Sequence, residues 1–182
     1  MRLSPLPADQ WDDAVNAALA GMLPRQRRNP QGAGNALATM VRNPELTRTF
    51  LPFNAHLLFG STLPARLREL AVLRVAALCK CPYEVEHHTG MGLAAGLTLE
   101  EIADAQEGVA HDDLDRLVLA AATELDREST LSDSTWSALA EHLDERQLID
   151  LVFTVGTYAT LAMAFNTFGI EPDRELQPEY ER

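Results

Sequence analysis

The segment Cys79-Lys80-Cys81-Pro82-Tyr83-Glu84-Val85-Glu86-His87-His88 holds the densest set of reactive side chains in the sequence. A thiol, a carboxyl and an imidazole stand at Cys81, Glu84 and His88, three and then four residues apart. Residues advance by about 100° around a helix, so these three share one face, with Val85 on the same side. His87 and Glu86 point elsewhere, and Tyr83 and His87 are candidate pocket residues. An imidazole beside a carboxylate exchanges protons near neutral pH. A thiol at a helix start meets unpaired amide donors and the positive end of the dipole, and both lower its pKa. Lys80, the only lysine in the sequence, lies beside both thiols.

Two further groups bear on this face. Glu69 lies twelve residues before Cys81, on the preceding helix. It reaches His88 only if the turn between the two helices is compact. Cys79 is a candidate resolving thiol for Cys81. In one continuous helix their side chains diverge by about 200°, so only a bend brings them together. Arg74 is a candidate for a substrate carboxylate, although pairing on the helix surface explains it more simply. Cys81, Glu84 and His88, with His87 or His111, are also zinc-ligand types. Their spacing matches no zinc signature, so no metal is assigned.

These groups need helices to hold them. Pro82 fits the first turn of a helix with Cys81 at its N-cap, ending near Gly96. The preceding helix is expected from Pro64 to about Cys79 with Thr62 as N-cap. Its apolar residues are Leu67, Leu70, Ala71, Leu73, Val75 and Leu78, with Glu69 as one interior acid. Before it, a first helix is expected from Ala8 to Gly21, a loop from Pro24 to Gly34 and a short helix to Asn43. Another helix then runs from Pro44 to about Phe59, kinked or broken at Pro52. After the candidate site, Thr98 to Glu101 is a capping box, a helix runs from near Asp112 to Glu128, and Ser132 caps one through Trp136. Asp144 with Gln147 opens a last long helix that stops at Gly169. No alternating strand pattern appears, and the class is all-α.

Composition narrows the partners. The chain has 182 residues, 46% of them hydrophobic, which supports a sizeable core. Its net charge of −12 disfavours nucleic acid and anionic membranes. Arg25, Arg27 and Arg28 read as a solvated loop. Two cysteines one residue apart are not a secreted disulfide framework, and the N-terminus lacks a signal-peptide pattern, so the cytoplasm is expected. From Leu151 to Ile170 no residue is charged. The polar groups in that stretch, and the lack of basic anchors, favour a core or subunit-interface helix over a membrane span.

The run Arg68-Glu69-Leu70-Ala71-Val72-Leu73-Arg74-Val75-Ala76, then Tyr83-Glu84, His87-His88 and Ala94-Ala95-Gly96-Leu97-Thr98, resembles the core motif of the carboxymuconolactone decarboxylase family. Residues 51–60 and the last helix with Asn166 extend the likeness from about Asn43 onward. The resemblance implies a single all-helical domain of the alkylhydroperoxidase D type over 43–170. An N-terminal helical extension, 1–42, precedes it and an acidic tail, 171–182, follows. It also implies a homo-oligomer, trimeric or hexameric, acting on a small molecule.

The alkylhydroperoxidase D branch uses a glutamate, a Cys-x-x-Cys pair and a histidine. Carried over, these fall on Glu69, Cys81 and His88, and the second cysteine falls on Glu84. The decarboxylase branch works by proton transfer without metal or organic cofactor. The expected function is therefore a cofactor-independent acid–base enzyme, lyase-like, on a small organic acid or lactone. Glu69, Glu84 and His88 would carry the chemistry, with Cys81 lining the pocket. The alternatives are a thiol-dependent, peroxiredoxin-like antioxidant using Cys81, and a non-catalytic oligomeric binding protein.

Overall fold

The computed structural model describes residues 1–173; the expected acidic tail from 174 onward lies outside the described residues. Helices and turns account for the regular structure, and no strand occurs among the described residues. The fold is all-α. Tertiary contacts divide it into two compact units, Met1–Gly60 with 165–173, and Ser61–Ala164.

The first unit contains helices α1 (Asp13–Leu19), α2 (Pro30–Met40) and α3 (Pro44–Ala55), with short turns at Ala8–Gln10 and Arg25–Arg27. Leu6, Val15, Leu19, Leu23, Ala33, Ala38, Val41 and Leu51 form its core. Helix α1 is shorter than the expected Ala8–Gly21. The Asp12 carboxylate accepts the Val15 N–H and starts the helix there. The expected loop to Gly34 is also corrected. Asn29 caps Gly32 and Pro30 takes the first helical position, while Gly34, at φ 69°, breaks the helix internally. Pro52 stays inside α3, which ends three residues later in a wider π turn, His56–Gly60.

The second unit is built around α4 (Ala65–Leu78), which packs against α5 (Pro82–Ala94), α6 (Leu99–Glu107) and α7 (Asp113–Glu128). Helix α8 (Asp133–Ala140) packs on α7, and α9 (Glu145–Phe168) follows. Leu67, Leu70, Ala71, Val72, Leu73, Val75 and Ala76 bury nearly the whole circumference of α4. Each fully buried leucine or valine there contributes about 2 kcal/mol. Arg66 ties α4 to its neighbours, with Nη2 donating to Glu101 at 2.6 Å and to Asp115 at 2.7 Å. Arg74 does likewise through Thr123 and the Gln106 carbonyl, so its role is an interhelical tie.

Thr62 does not cap α4. Pro64 occupies the N-cap position, and both the Thr62 hydroxyl and the Ser61 hydroxyl donate to Asp150 on α9. The capping box of Thr98 and Glu101 forms as expected, as does the reciprocal pair of Asp144 and Gln147. Helix α8 runs four residues past the expected Trp136. Gly169 closes α9 at φ 71°, a left-handed geometry that suits glycine.

Among the described residues α9 is the one helix long and apolar enough to span a membrane, and half of its most apolar window is buried inside the protein.

Candidate functional site

A tight turn makes the site. Helix α4 ends at Leu78, and Lys80 adopts a left-handed φ of 52°. The Cys81 N–H then donates back to the Ala76 carbonyl at 2.9 Å. Cys81 becomes the N-cap of α5 and Pro82 its first residue. The chain reverses within three residues, and α5 returns along α4. The compact turn that Glu69 required is therefore present.

The reversal brings Glu69 and His88 together although nineteen residues separate them. His88 Nδ1 donates to Glu69 Oε2 at 2.6 Å. On its other side His88 Nε2 faces Glu84 Oε2 at 3.3 Å, one turn earlier on α5. Carboxylates only accept, so an imidazole held between two of them carries hydrogen on both nitrogens. Arg68 completes the array, with Nε donating to Glu69 Oε1 at 2.9 Å. Charges thus alternate along Arg68, Glu69, His88 and Glu84.

All of this is desolvated. Side-chain exposure is 0% for Glu69, 2% for His88 and 4% for Glu84. Burial alone pushes the His88 pKa down, but the Glu69 and Glu84 carboxylates outweigh it and raise it to about 9. For Glu69 burial pushes upward, and His88 and Arg68 overcome it, so its pKa is lowered. At neutral pH the centre is a buried imidazolium between two carboxylates.

Tyr158 of α9 sets its ring edge-on to His88, with centroids 4.8 Å apart. Tyr83 stacks on His87 at 6.0 Å, and His87 meets His88 at 70° and 5.7 Å. His87 therefore lies beside His88, and Tyr83 lies beside His87. Tyr158 and Arg68 were not singled out from the sequence. An aromatic in an uncharged helix reads as core, and an arginine beside a glutamate reads as a surface pair.

The thiols behave differently from the helix-terminus expectation. Cys81 is 1% exposed, and burial raises its pKa. The backbone N–H groups of Glu84 and Tyr83 pull it down and the Glu84 charge pushes it up, leaving it raised overall. The dipole argument counted donors but not lost water. Cys79 donates to Asp126 on α7 at 3.6 Å, and burial with that carboxylate pushes its pKa to about 11. Neither cysteine is in a disulfide. His111, the most distant of the zinc-type candidates, is 87% exposed and faces Asp104. No group of three or more His, Cys, Asp or Glu among the described residues is arranged to hold a metal ion.

With this geometry established, comparison places the chain. The sequence model of the carboxymuconolactone decarboxylase family matches residues 44–126, which span α3 to α7 and the whole Glu69–His88–Glu84 array. Over that segment the chain is similar to the carboxymuconolactone decarboxylase family. No curated protein matches it. Among solved structures it resembles the debrominase Bmp8 in its apo form, at 17% identity and TM-score 0.75, over 94% of this chain and 92% of that one. It also resembles a peroxidase-related protein from Silicibacter sp. TM1040, at 16% identity and TM-score 0.71, over 96% and 94%. An alkylhydroperoxidase AhpD core protein from Ralstonia eutropha JMP134 matches at 17% identity and TM-score 0.70, also over 96% and 94%. At these identities the likeness is one of fold. In this chain a carboxylate, Glu84, occupies the position that the resemblance assigns to the second thiol.

Proposed function

We propose that this protein is a cofactor-independent acid–base enzyme of the lyase type acting on a small organic acid or lactone. The observation that carries the proposal is the buried imidazole of His88, held between Glu69 on Nδ1 and Glu84 on Nε2. Glu69 fixes the ring and favours its charged form. Glu84 Oε1 makes no hydrogen bond among the described residues, so it is the oxygen left to meet a substrate. In a decarboxylation the C–C bond to the carboxylate breaks, carbon dioxide leaves and the electron pair stays behind as an enolate. A proton passes from His88 Nε2 through Glu84 to the carbon, and water later restores His88. Cys81 lines the pocket as a thiol.

The alternative is thiol-dependent hydroperoxide reduction by Cys81, in keeping with the amide donors at its sulfur. The burial of Cys81 and the diversion of Cys79 to Asp126 weigh against it. On the same reading the protein is a cytoplasmic homo-oligomer. The exposed, uncharged stripe of Ile149, Phe153, Gly156, Thr160 and Met163 on α9 supports an interface between subunits.

The test follows carbon dioxide release from small carboxylated lactones and enol-forming acids, alongside consumption of an organic hydroperoxide with a thiol reductant. Wild type, His88→Ala and Cys81→Ser are compared. Proton-transfer chemistry predicts loss of about 10²-fold or more in His88→Ala and a change below about threefold in Cys81→Ser. Hydroperoxide turnover that disappears in Cys81→Ser would replace this reading with the thiol mechanism. Absence of turnover in both assays would leave the binding-protein reading.

A further inference from the structure

Tyr158 touches the charged array from a third helix, α9. Its ring lies 4.8 Å from that of His88, centroid to centroid, with the two planes at 87°. That distance is near the short end of the range for edge-to-face aromatic contact. Both residues are 2% exposed, so the contact is dry.

His88 is restrained at two other points. Nδ1 donates to Glu69 on α4 at 2.6 Å, and Nε2 faces Glu84 at 3.3 Å. The two restraints differ in kind as well as in length. Glu84 lies one turn from His88 on α5 itself, so it moves with the helix that carries the imidazole and cannot brace the ring against that helix. The outside braces are Glu69, which holds the Nδ1 end, and Tyr158, which packs against the ring. A hydrogen bond at one nitrogen leaves the ring able to swing about that point, and Nε2 is the end that travels. A close-packed ring from another element limits the swing.

Helix α9 is itself held in register. Asp150, eight residues before Tyr158, accepts from the Ser61 hydroxyl at 3.0 Å, the Thr62 N–H at 2.6 Å and the Thr62 hydroxyl at 2.7 Å. Gln147 Nε2 adds a bond to the Thr62 carbonyl at 3.3 Å. Residues 61–62 lead into α4, which carries Glu69. The two outside braces of the imidazole are thus tied to each other just before α4 begins.

We infer that Tyr158 is a positioning residue: its ring, held in register through Asp150, keeps the imidazole of His88 turned so that Nε2 stays on Glu84. The contact is made by the ring, so phenylalanine should serve as well. The inference rests on the acid–base reading for its bearing on turnover, because there Nε2 delivers the proton. The positioning itself is read without substrate.

The experiment follows the exchange of the two His88 ring N–H protons with water, by NMR of the full-length protein at neutral pH. Wild type is compared with Tyr158→Phe, Tyr158→Leu and Asp150→Asn. In Tyr158→Leu the Nε2–H should exchange faster by about tenfold or more, while the Nδ1–H, gripped by Glu69, changes by less than about threefold. Tyr158→Phe should match wild type at both nitrogens. Asp150→Asn weakens the register without touching either ring. It should accelerate the Nε2–H selectively by a smaller factor, and it decides the matter if Tyr158→Leu does not fold. Unchanged Nε2–H exchange in Tyr158→Leu would overturn the inference. Equal acceleration of both protons would do the same, since it marks general loosening. So would acceleration in Tyr158→Phe, or a wild-type ring that shows only the Nδ1–H. Lyase turnover, measured alongside, should fall by about tenfold or more in kcat in Tyr158→Leu with KM within about twofold. Selective loss of the Nε2–H in a protein without any lyase turnover would refute the acid–base reading and leave the role of Tyr158 standing.

Discussion

Replacing Glu69 by glutamine removes one of the two charges that hold His88 protonated, and the consequence can be sized. The His88 pKa stands at about 9 in the folded protein against 6.5 for a free imidazole. At about 1.4 kcal/mol for each pH unit, the difference corresponds to about 3 kcal/mol of folding stability. The sign follows from proton counts. Below pH 6.5 both folded and unfolded chains carry the proton, and the contribution is fully present. Between 6.5 and about 9 only the folded chain holds it, so stability falls as pH rises. Above about 9 the contribution is gone. Glu69, whose pKa is lowered, acts at the other end. Its contribution is present above the free carboxyl value of 4.5 and is lost as pH falls.

Wild type should therefore lose about 3 kcal/mol of unfolding free energy between pH 6.5 and 9 in urea titrations. Glu69→Gln keeps a hydrogen-bonding side chain but no charge, and burial then pulls the His88 pKa down. The loss over the same window should shrink to about 1 kcal/mol or less. The His88 ring titrated by NMR should move in parallel, and any lyase activity of wild type should fall away above about pH 9. A wild-type ring titrating near 6.5, or an unchanged pH slope in Glu69→Gln, would refute the electrostatic account of the site.

Three other outcomes test the frame around it. Thr154 is 0% exposed and its hydroxyl has no partner among the described residues, so Thr154→Val should raise stability by about 1 kcal/mol in thermal unfolding. Asp150 accepts from the Ser61 hydroxyl, the Thr62 N–H and the Thr62 hydroxyl. Asp150→Ala should then cost about 3 kcal/mol in chemical denaturation, and Asp150→Asn less. Lys80 holds φ 52°, so Lys80→Gly should stabilise by up to about 1 kcal/mol, whereas Lys80→Val should destabilise and loosen the Glu69–His88 contact seen by NMR.

The helical class, the capping boxes and the face shared by Cys81, Glu84 and His88 were legible because each depends on residues a few positions apart. The Glu69–His88 contact was legible only as a possibility. It rests on the backbone conformation at Lys80, a residue type with no preference for left-handed geometry, and nothing local announces that turn. Pro30 misled for a related reason. A proline between a basic cluster and two glycines looks like loop punctuation, yet Asn29 before it makes it a helix start. Cys81 misled through burial, since spacing reveals the amide donors and not the water excluded around them.

The exchange of a thiol position for Glu84 connects these observations. A second sulfur there would stand next to an imidazole whose pKa is already raised by Glu69, an arrangement that favours thiolate and redox work. A carboxylate at the same place instead adds a second anion to the ring. It strengthens the protonated state of His88 and turns the histidine from a base that accepts a thiol proton into an acid that holds one. It also removes the partner with which Cys81 would form a disulfide, while Cys79 is engaged with Asp126. On the proposed acid–base reading, this single residue moves the array from electron exchange toward proton delivery. The test specific to that step is Glu84→Cys. Restoring the thiol should lower the His88 pKa below its present value of about 9, by removing one carboxylate. It should also allow a disulfide between Cys81 and the introduced thiol under mild oxidation, measured by thiol counting and by NMR titration of the ring. An unchanged His88 pKa in that variant would show that Glu84 does not tune the imidazole, and the argument for a proton-delivering site would lose its second carboxylate.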